Sequence, residues 1–406
     1  MKIGFYGNPN NYAFMLARAM RRLGHEVRFI VVSREMLNRP EFRYADIATP
    51  YPAWILDRAH LNRWILLLPG PARHEVLAQL NACDICFLAE EGPALAANLR
   101  VPYVALLTGS NLEIFADPEK AGSLKIQAFP RRPWLNRWCQ ALLPTSFLQA
   151  RLTQPQRAGI CGARLVTHYA RGLVPNGDRL LDEMEVPDHR RIFLLMTDLN
   201  LIALSPPPAN RPVRVFCVAR LTWKREIDTD LVELDYKGTD VLLHGLAMLK
   251  QRSFTPLPEL HLVRKGRHVN ETAALASELG IDRQITWREQ LSQSEVLAEY
   301  ARADIVVDQL ANSVIAMGGL DAMASGRPLI ANARPEIFSD VDEPPPICQA
   351  RTPGEVCSQL ERLAHDPAER ERVGLASRRY VEKHFSSDAA ARQVLTRLGL
   401  SPTATP

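Results

Sequence analysis

"ADIVVDQLANSVIAMGGLDAMASGRPLIAN", residues 303–332, is the stretch on which the reading of the whole chain turns. "DIVVDQ" is a short apolar run that reads as a buried strand, and "PLIAN" is a second one. Between them a loop passes through Gly318 and Gly319 into a helical segment, "LDAMASG". Strand, helix, strand in that order implies two parallel strands joined by a right-handed crossover. Three residues stand out in it. Asp308 closes the first strand, Asp321 is expected on the first turn of the helix, and Ser313 lies between them.

The same alternation extends in both directions. Downstream of residue 212 it runs "VRVFCVA", "DVLLHGLAMLKQR", "ELHLVRKG", "ETAALASELG", "QITWRE", "SEVLAEYARA" and then the opening stretch. Upstream it runs "KIGFYG", "YAFMLARAMRRLG", "HEVRFIVV", "EVLAQLNAC", "DICFLA" and "PYVALLT". Alternating strands and helices predict open parallel sheets covered on both faces. The rhythm breaks only at "LSPPPANRP", residues 204–212, whose prolines predict a stiff linker. The expected fold class is therefore α/β with two Rossmann-like domains facing across a cleft. Residues 1–203 form the first, 204–212 a hinge and 213–385 the second, with a C-terminal helix over about 386–400 packing back across the hinge.

Composition limits what such a chain can do. Its 406 residues are 47% apolar and 23% charged, enough to fill two cores and too apolar for disorder. No apolar run approaches the roughly 20 residues needed to span a bilayer, and no leader precedes the first strand, so a cytoplasmic location is expected. Seven scattered cysteines suit a reducing compartment. Cys83 and Cys86 form a CxxC, but it lies in "ACDICFLAE", which reads as a buried strand without a second ligand pair.

Residues 1–210 hold 24 Lys and Arg against 18 Asp and Glu, and the remainder 25 against 27. That small basic excess, with no recognisable motif, argues against nucleic acid. It is sharpened at "FPRRPWLNRWCQ", residues 129–140, where Arg131, Arg132 and Arg137 interleave with Trp134 and Trp138. The segment has two readings: an amphipathic helix packing its tryptophans on the core, or a peripheral contact with an anionic membrane face.

Ligands of open parallel sheets bind beyond the carboxyl ends of the strands. Arg220, Lys224 and Lys237 lie between the strand "VRVFCVA" and a helix expected to begin near Thr239, where helix N–H groups and cations together favour a diphosphate. Gly266 follows the strand "ELHLV", where backbone could approach a ligand closely. Asp321 has the chemistry to hold vicinal hydroxyls such as those of ribose. A nicotinamide cofactor is disfavoured, because "GFYGNPNNYA" lacks the G-x-G-x-x-G spacing.

In order and spacing, "ARLTWK…DYKGTDVLLHGLAML", "ADIVVDQ" and "GGLDAMASGRPLIAN" resemble the donor half of family 4, GT-B-type retaining glycosyltransferases, across most of residues 211–390. The resemblance implies that Arg220 and Lys237 are the catalytic cations on the diphosphate of a nucleotide sugar, with Lys224 competing for the lysine role. It implies that Asp321 replaces the family's ribose-binding Glu, and that Ser313 occupies the place of its sugar-contacting Glu. Lys224, Gly266, Asp308, Ser313, Gly318, Gly319 and Asp321 are thus the expected donor contacts. The first half fits more loosely: "GNPNNYAFMLARAMRRLGHEV" and "TGSNLEIF" resemble the family's acceptor-side loops, implicating Asn8, Asn10, Thr108, Gly109, Ser110 and Asn111.

The activity so implied is transfer of a sugar from a nucleotide-diphosphate donor to a glycan, lipid-linked or small-molecule acceptor, with retention. No separate cofactor and no metal are expected. The Asp-x-Asp at Asp228 to Asp230 lies in an insertion among basic residues and reads as a solvated charge cluster. Two alternatives stand beside this reading: a catalytically silent glycan- or nucleotide-binding protein, suggested by Ser313 and Asp321, and a nucleotide-sugar epimerase, which can share the architecture.

Overall fold

The computed structural model describes residues 1–61, 67–123, 134, 135, 138, 142, 144–225, 235–334, 338 and 343–400. The chain forms two compact units, one of residues 1–195 with 390–406 and the other of residues 196–389.

The first unit is built on seven parallel strands, β1 (Lys2–Tyr6), β2 (Glu26–Val31), β3 (Ile55–Asp57), β4 (Ile85–Leu88), β5 (Tyr103–Leu106), β6 (Leu165–Thr167) and β7 (Arg191–Ile192). Their order is β3-β2-β1-β4-β5-β6-β7. Central strands of such a sheet are covered on both faces, which is why β1 and β4 are nearly continuous apolar runs. Helix α1 (Tyr12–Arg22) lays Phe14, Leu16, Ala17 and Met20 on the sheet and turns Arg21 and Arg22 outward. Phe14 meets Phe29 edge-on at 4.9 Å and stacks on Trp54 at 5.3 Å.

The second unit repeats the plan with six parallel strands, β8 (Arg214–Cys217), β9 (Glu259–Val263), β10 (Ile285–Arg288), β11 (Ile305–Val307), β12 (Leu329–Ala331) and β13 (Cys348–Gln349), in the order β10-β9-β8-β11-β12-β13. Between them run α2 (Thr239–Gln251), α3 (Val269–Glu278), α4 (Gln293–Arg302) and α5 (Met317–Ala324), followed by α6 (Pro353–His365). Helix starts are chemically marked. Ser292 with Glu295, and Thr352 with Glu355, form reciprocal capping boxes at α4 and α6. In one core cluster Leu242, Leu246 and Leu249 of α2 join Val356 and Leu360 of α6.

The units do not divide where the prolines suggest. The first boundary falls at 195/196, and residues 204–212 belong to the second unit. Arg327, fully buried, explains this: it donates to the Ser205 carbonyl at 2.6 Å and to the Ser205 hydroxyl at 2.8 Å. Farther along, the Asn210 amide donates to Asp304 at 2.9 Å. The proline stretch is thus fastened to the second unit rather than spanning a gap. At the other end, α7 (Ser387–Arg397) begins in the second unit and finishes in the first, where Arg397 donates to the His189 carbonyl at 2.8 Å. Residues Gly92–Asn98 form a 3₁₀ helix.

His168, directly after β6, is 5% exposed and neither ring nitrogen has a hydrogen-bond partner among the described residues. Burial, with Arg191 nearby, lowers its pKa to about 4. An unfolded imidazole protonates near 6.5. The folded value is the lower one, so the stability contributed by neutral His168 is complete above about pH 6.5 and is lost as pH falls toward 4. His168→Phe should remove about 2–3 kcal/mol of that acid-induced loss. Urea unfolding of both proteins near pH 7 and near pH 4.5 measures it, and equal losses would show that His168 does not carry the effect.

Candidate functional site

In the second sheet the strand order reverses between β8 and β11: the chain leaves β8 toward β9 and leaves β11 toward β12. Diverging loops open a crevice at the carboxyl ends of those two strands, where open α/β sheets hold ligands. Arg220 lies just beyond β8, Asp308 just beyond β11, and Lys237 between them on the approach to α2.

Lys237 is held from three sides. Its N–H donates to the Thr222 carbonyl at 2.7 Å and its carbonyl accepts from Leu310 N–H at 2.9 Å. Its ammonium donates to Gln309 Oε1 at 3.0 Å. Burial pulls its pKa down to about 8, with Arg220 pulling the same way against Asp308 and Asp235. Arg220 is half exposed and pairs with Asp235 at 2.9 Å. Lys224 is exposed, and its backbone N–H is bound by His268 Nδ1 at 3.1 Å. The structure therefore brings Lys237 and Arg220 to one place, while Lys224 is exposed. Asp228 and Asp230 lie outside the described residues.

Gly266 has φ +132°, and a Cβ there would lie 2.6 Å from Leu221 N. The loop after β9 thus rests backbone-to-backbone on the loop after β8, with Leu221 N–H donating to the Lys265 carbonyl and His268 N–H to the Leu221 carbonyl. The glycine serves this internal approach.

Asp308 is buried, and burial raises its pKa to about 6, opposed by Lys237 and by backbone N–H groups of Gly319 and Ala316. Gly319 N–H donates to Asp308 Oδ2 at 3.0 Å, and a Cβ on Gly319 would stand 2.7 Å from that oxygen. Gly318 packs on Val218 and offers its carbonyl to the Tyr300 hydroxyl at 2.9 Å. The two glycines therefore let the first turn of α5 settle on the Asp308 carboxylate, an anion at a helix N-terminus.

Asp321 differs from expectation in position. It lies in the second turn of α5, whose first turn carries no acid, and it is 3% exposed. Its carboxylate accepts from the Thr197 hydroxyl and, at 3.3 Å, from the Gln293 amide. Ser313 is half-buried in the preceding loop, and its carbonyl accepts from Arg334 N–H at 3.3 Å. Among the described residues no three His, Cys, Asp or Glu side chains gather as a metal site.

Sequence reading passed over Gln309, Asn312, Gln293 and Thr197. Gln309 was within reach, as it follows Asp308 at a strand end. Thr197 carries no local signal: it meets Asp321 across 124 positions of chain.

The loops of the first unit are arranged differently. Asn8 is 1% exposed and spends its side chain within the unit, donating to Asn11 Oδ1 and to the Asn38 carbonyl, both at 2.9 Å, and accepting from Phe14 N–H. Asn10 is exposed, with φ +51°. Asn111 is buried, bracing its own loop by accepting from Thr108 N–H at 2.7 Å and donating to the Leu106 carbonyl. Gly109 has φ +99° and open space where a Cβ would stand. The Ser110 side chain lies outside what the structure describes.

Residues 230–366 match the family described as Glycosyl transferases group 1. Over 166 residues the chain is 30% identical to the MMP alpha-(1->4)-mannosyltransferase of Mycolicibacterium hassiacum, and over 168 residues 29% identical to the D-inositol 3-phosphate glycosyltransferase of Corynebacterium aurimucosum. These matches span 40% and 39% of the length of those relatives, and the same shares of this chain. The HepE protein of Anabaena, solved in complex with UDP and glucose, is 14% identical and superposes with a TM-score of 0.60 over 98% of this chain and 99% of its own. That superposition bears out the α/β architecture of two parallel-sheet units, the GT-B type. Residues 230–366 of the second unit thus resemble the glycosyl transferases group 1 family, and the chain shares its fold with solved glycosyltransferases.

Proposed function

We propose that the chain is a glycosyltransferase that moves a sugar from a nucleotide-diphosphate donor to a glycan, lipid-linked or small-molecule acceptor with retention. The observation that carries this reading is a lysine ammonium fixed beside Arg220 at the point where the sheet order reverses. A departing nucleoside diphosphate gathers negative charge, and two cations held in place beforehand stabilise that charge without reorganising. Partial burial of Lys237 strengthens its share, because less water screens it. In a retaining transfer of this kind the acceptor attacks on the face from which the diphosphate leaves, so no protein nucleophile is assigned. The names of the two relatives, a mannosyltransferase and an inositol-phosphate glycosyltransferase, support glycosyl transfer. The acceptor is assigned to the first unit, where Asn10 and the Gly109 turn stay open.

A second reading, a silent nucleotide- or glycan-binding protein, is favoured by one observation. Asp321 is occupied by Thr197 and Gln293, and Ser313 offers no charge to a sugar.

Thermal-shift measurements with UDP-, GDP- and ADP-sugars should show stabilisation by one nucleotide, with affinity weakened roughly tenfold in Arg220→Ala, about 1.4 kcal/mol. Because Lys237 loses its proton near pH 8, donor affinity should fall as pH rises through that value, and Lys237→Arg should flatten the decline. Stabilisation by none of the three would sink every donor-binding reading. Binding without turnover over a broad acceptor panel would select the silent protein.

Trp134, Trp138 and Leu142 are helical and 63%, 61% and 59% exposed, so they are not packed on the core. Arg131, Arg132 and Arg137, beside them in sequence, lie outside the described residues. Exposed tryptophans among basic residues suit an anionic lipid surface, which we propose as a peripheral partner. The protein should co-sediment with phosphatidylglycerol vesicles and not with phosphatidylcholine vesicles, and Trp134→Ala with Trp138→Ala should abolish it. Equal sedimentation with both lipids would refute the contact.

A further inference from the structure

The carboxyl end of β11 presents Asp308 and then Gln309, a carboxylate and an amide, to one small region. Asp308 gives Oδ2 to the first turn of α5. Gln309, 6% exposed, gives Oε1 to Lys237 Nζ at 3.0 Å and to Asn312 Nδ2 at 2.8 Å. Asn312 Nδ2 also donates to the carbonyl of Tyr236 at 2.6 Å, the residue before Lys237. The Gln309 carbonyl accepts from Asn332 N–H at 2.9 Å, which ties the group to the end of β12.

We propose that Gln309 is the positioning residue for Lys237: it aims the ammonium at the diphosphate without neutralising it. This rests on the reading of Lys237 as a diphosphate cation. A free lysine side chain carries about 2 kcal/mol of rotamer entropy, which an incoming anion would have to remove. Fixing Nζ in advance shifts that cost from binding to folding. The choice of an amide is the chemical point. A carboxylate at 3.0 Å would orient the ammonium equally well but would pair with it, leaving little charge for a ligand. An amide oxygen orients through its dipole and carries no net charge. Among the described residues, the charged groups facing Lys237 include Asp308, Arg220 and Asp235. Of these, Arg220 is held by Asp235, and Asp308 serves α5.

Inorganic pyrophosphate, titrated calorimetrically into the full chain, tests this with three variants whose folding is checked by circular dichroism. Gln309→Met, which removes the acceptor, should weaken pyrophosphate binding roughly tenfold. Gln309→Glu, nearly isosteric, should weaken it at least as much near pH 7.5. That variant should recover toward wild type, compared at each pH, as pH is lowered to about 5 and the new carboxyl protonates. A merely structural glutamine would give no such recovery. Lys237→Met is the reference and should abolish most binding. If Gln309→Glu binds pyrophosphate like the wild type across this range while Lys237→Met does not, the positioning role is wrong. If Lys237→Met itself binds like the wild type, it is the assignment of Lys237 that falls. Gln309→Glu keeps the test decisive should Gln309→Met not fold.

Discussion

An ammonium just before α2 and a carboxylate at the end of β11, both drawn out of water, set the terms for the second unit. Burial works against both charged forms, lowering Lys237 to about 8 and raising Asp308 to about 6. Such a pair is tolerable only when each member finds hydrogen bonds besides the other's charge. Asp308 finds them in the first turn of α5, and Lys237 in the amide of Gln309. Each charge also supports the ionised state of the other. The arrangement therefore keeps a positive charge in a weakly screened place, which is what anion recognition needs and what an apolar core would not tolerate.

Backbone geometry makes the arrangement rigid. The loops after β8 and β9 are laced by Leu221 N–H to the Lys265 carbonyl and His268 N–H to the Leu221 carbonyl. His268, 1% exposed, uses one ring nitrogen to bind the N–H groups of both Trp223 and Lys224. Nδ1 is thus the shared acceptor that joins these two residues to the loop after β9. The Trp223 indole N–H is anchored on Thr272 at 2.9 Å. Flexible-looking sequence between Arg220 and Arg225 is thus fastened on several sides before any ligand arrives.

Much of this was legible in the sequence, and the reasons differ by residue. Strand–helix alternation is a local pattern, so the fold class, the strand ends and the start of α2 at Thr239 could be read directly. Lys237 could be found because a cation before a helix N-terminus has a local meaning. Asp321 was seen, but its surroundings were not: Thr197 and Gln293 reach it only through tertiary folding. Asn8 was implicated by the resemblance of its loop to an acceptor-side loop. Its amide is consumed by residues 11 and 38, and no periodicity reveals that. The proline stretch misled for a related reason. Stiffness can be read from prolines, whereas attachment depends on a buried arginine more than a hundred residues away.

The short parallel bridge between Thr197 and Ser386 has an architectural meaning. Thr197 N–H donates to the Phe385 carbonyl at 2.8 Å, and Ser387 N–H donates back to Thr197 at the same length. The second unit therefore leaves and re-enters the first through two chain segments clasped side by side. The entering and leaving segments of this unit are thus neighbours in space although far apart along the chain.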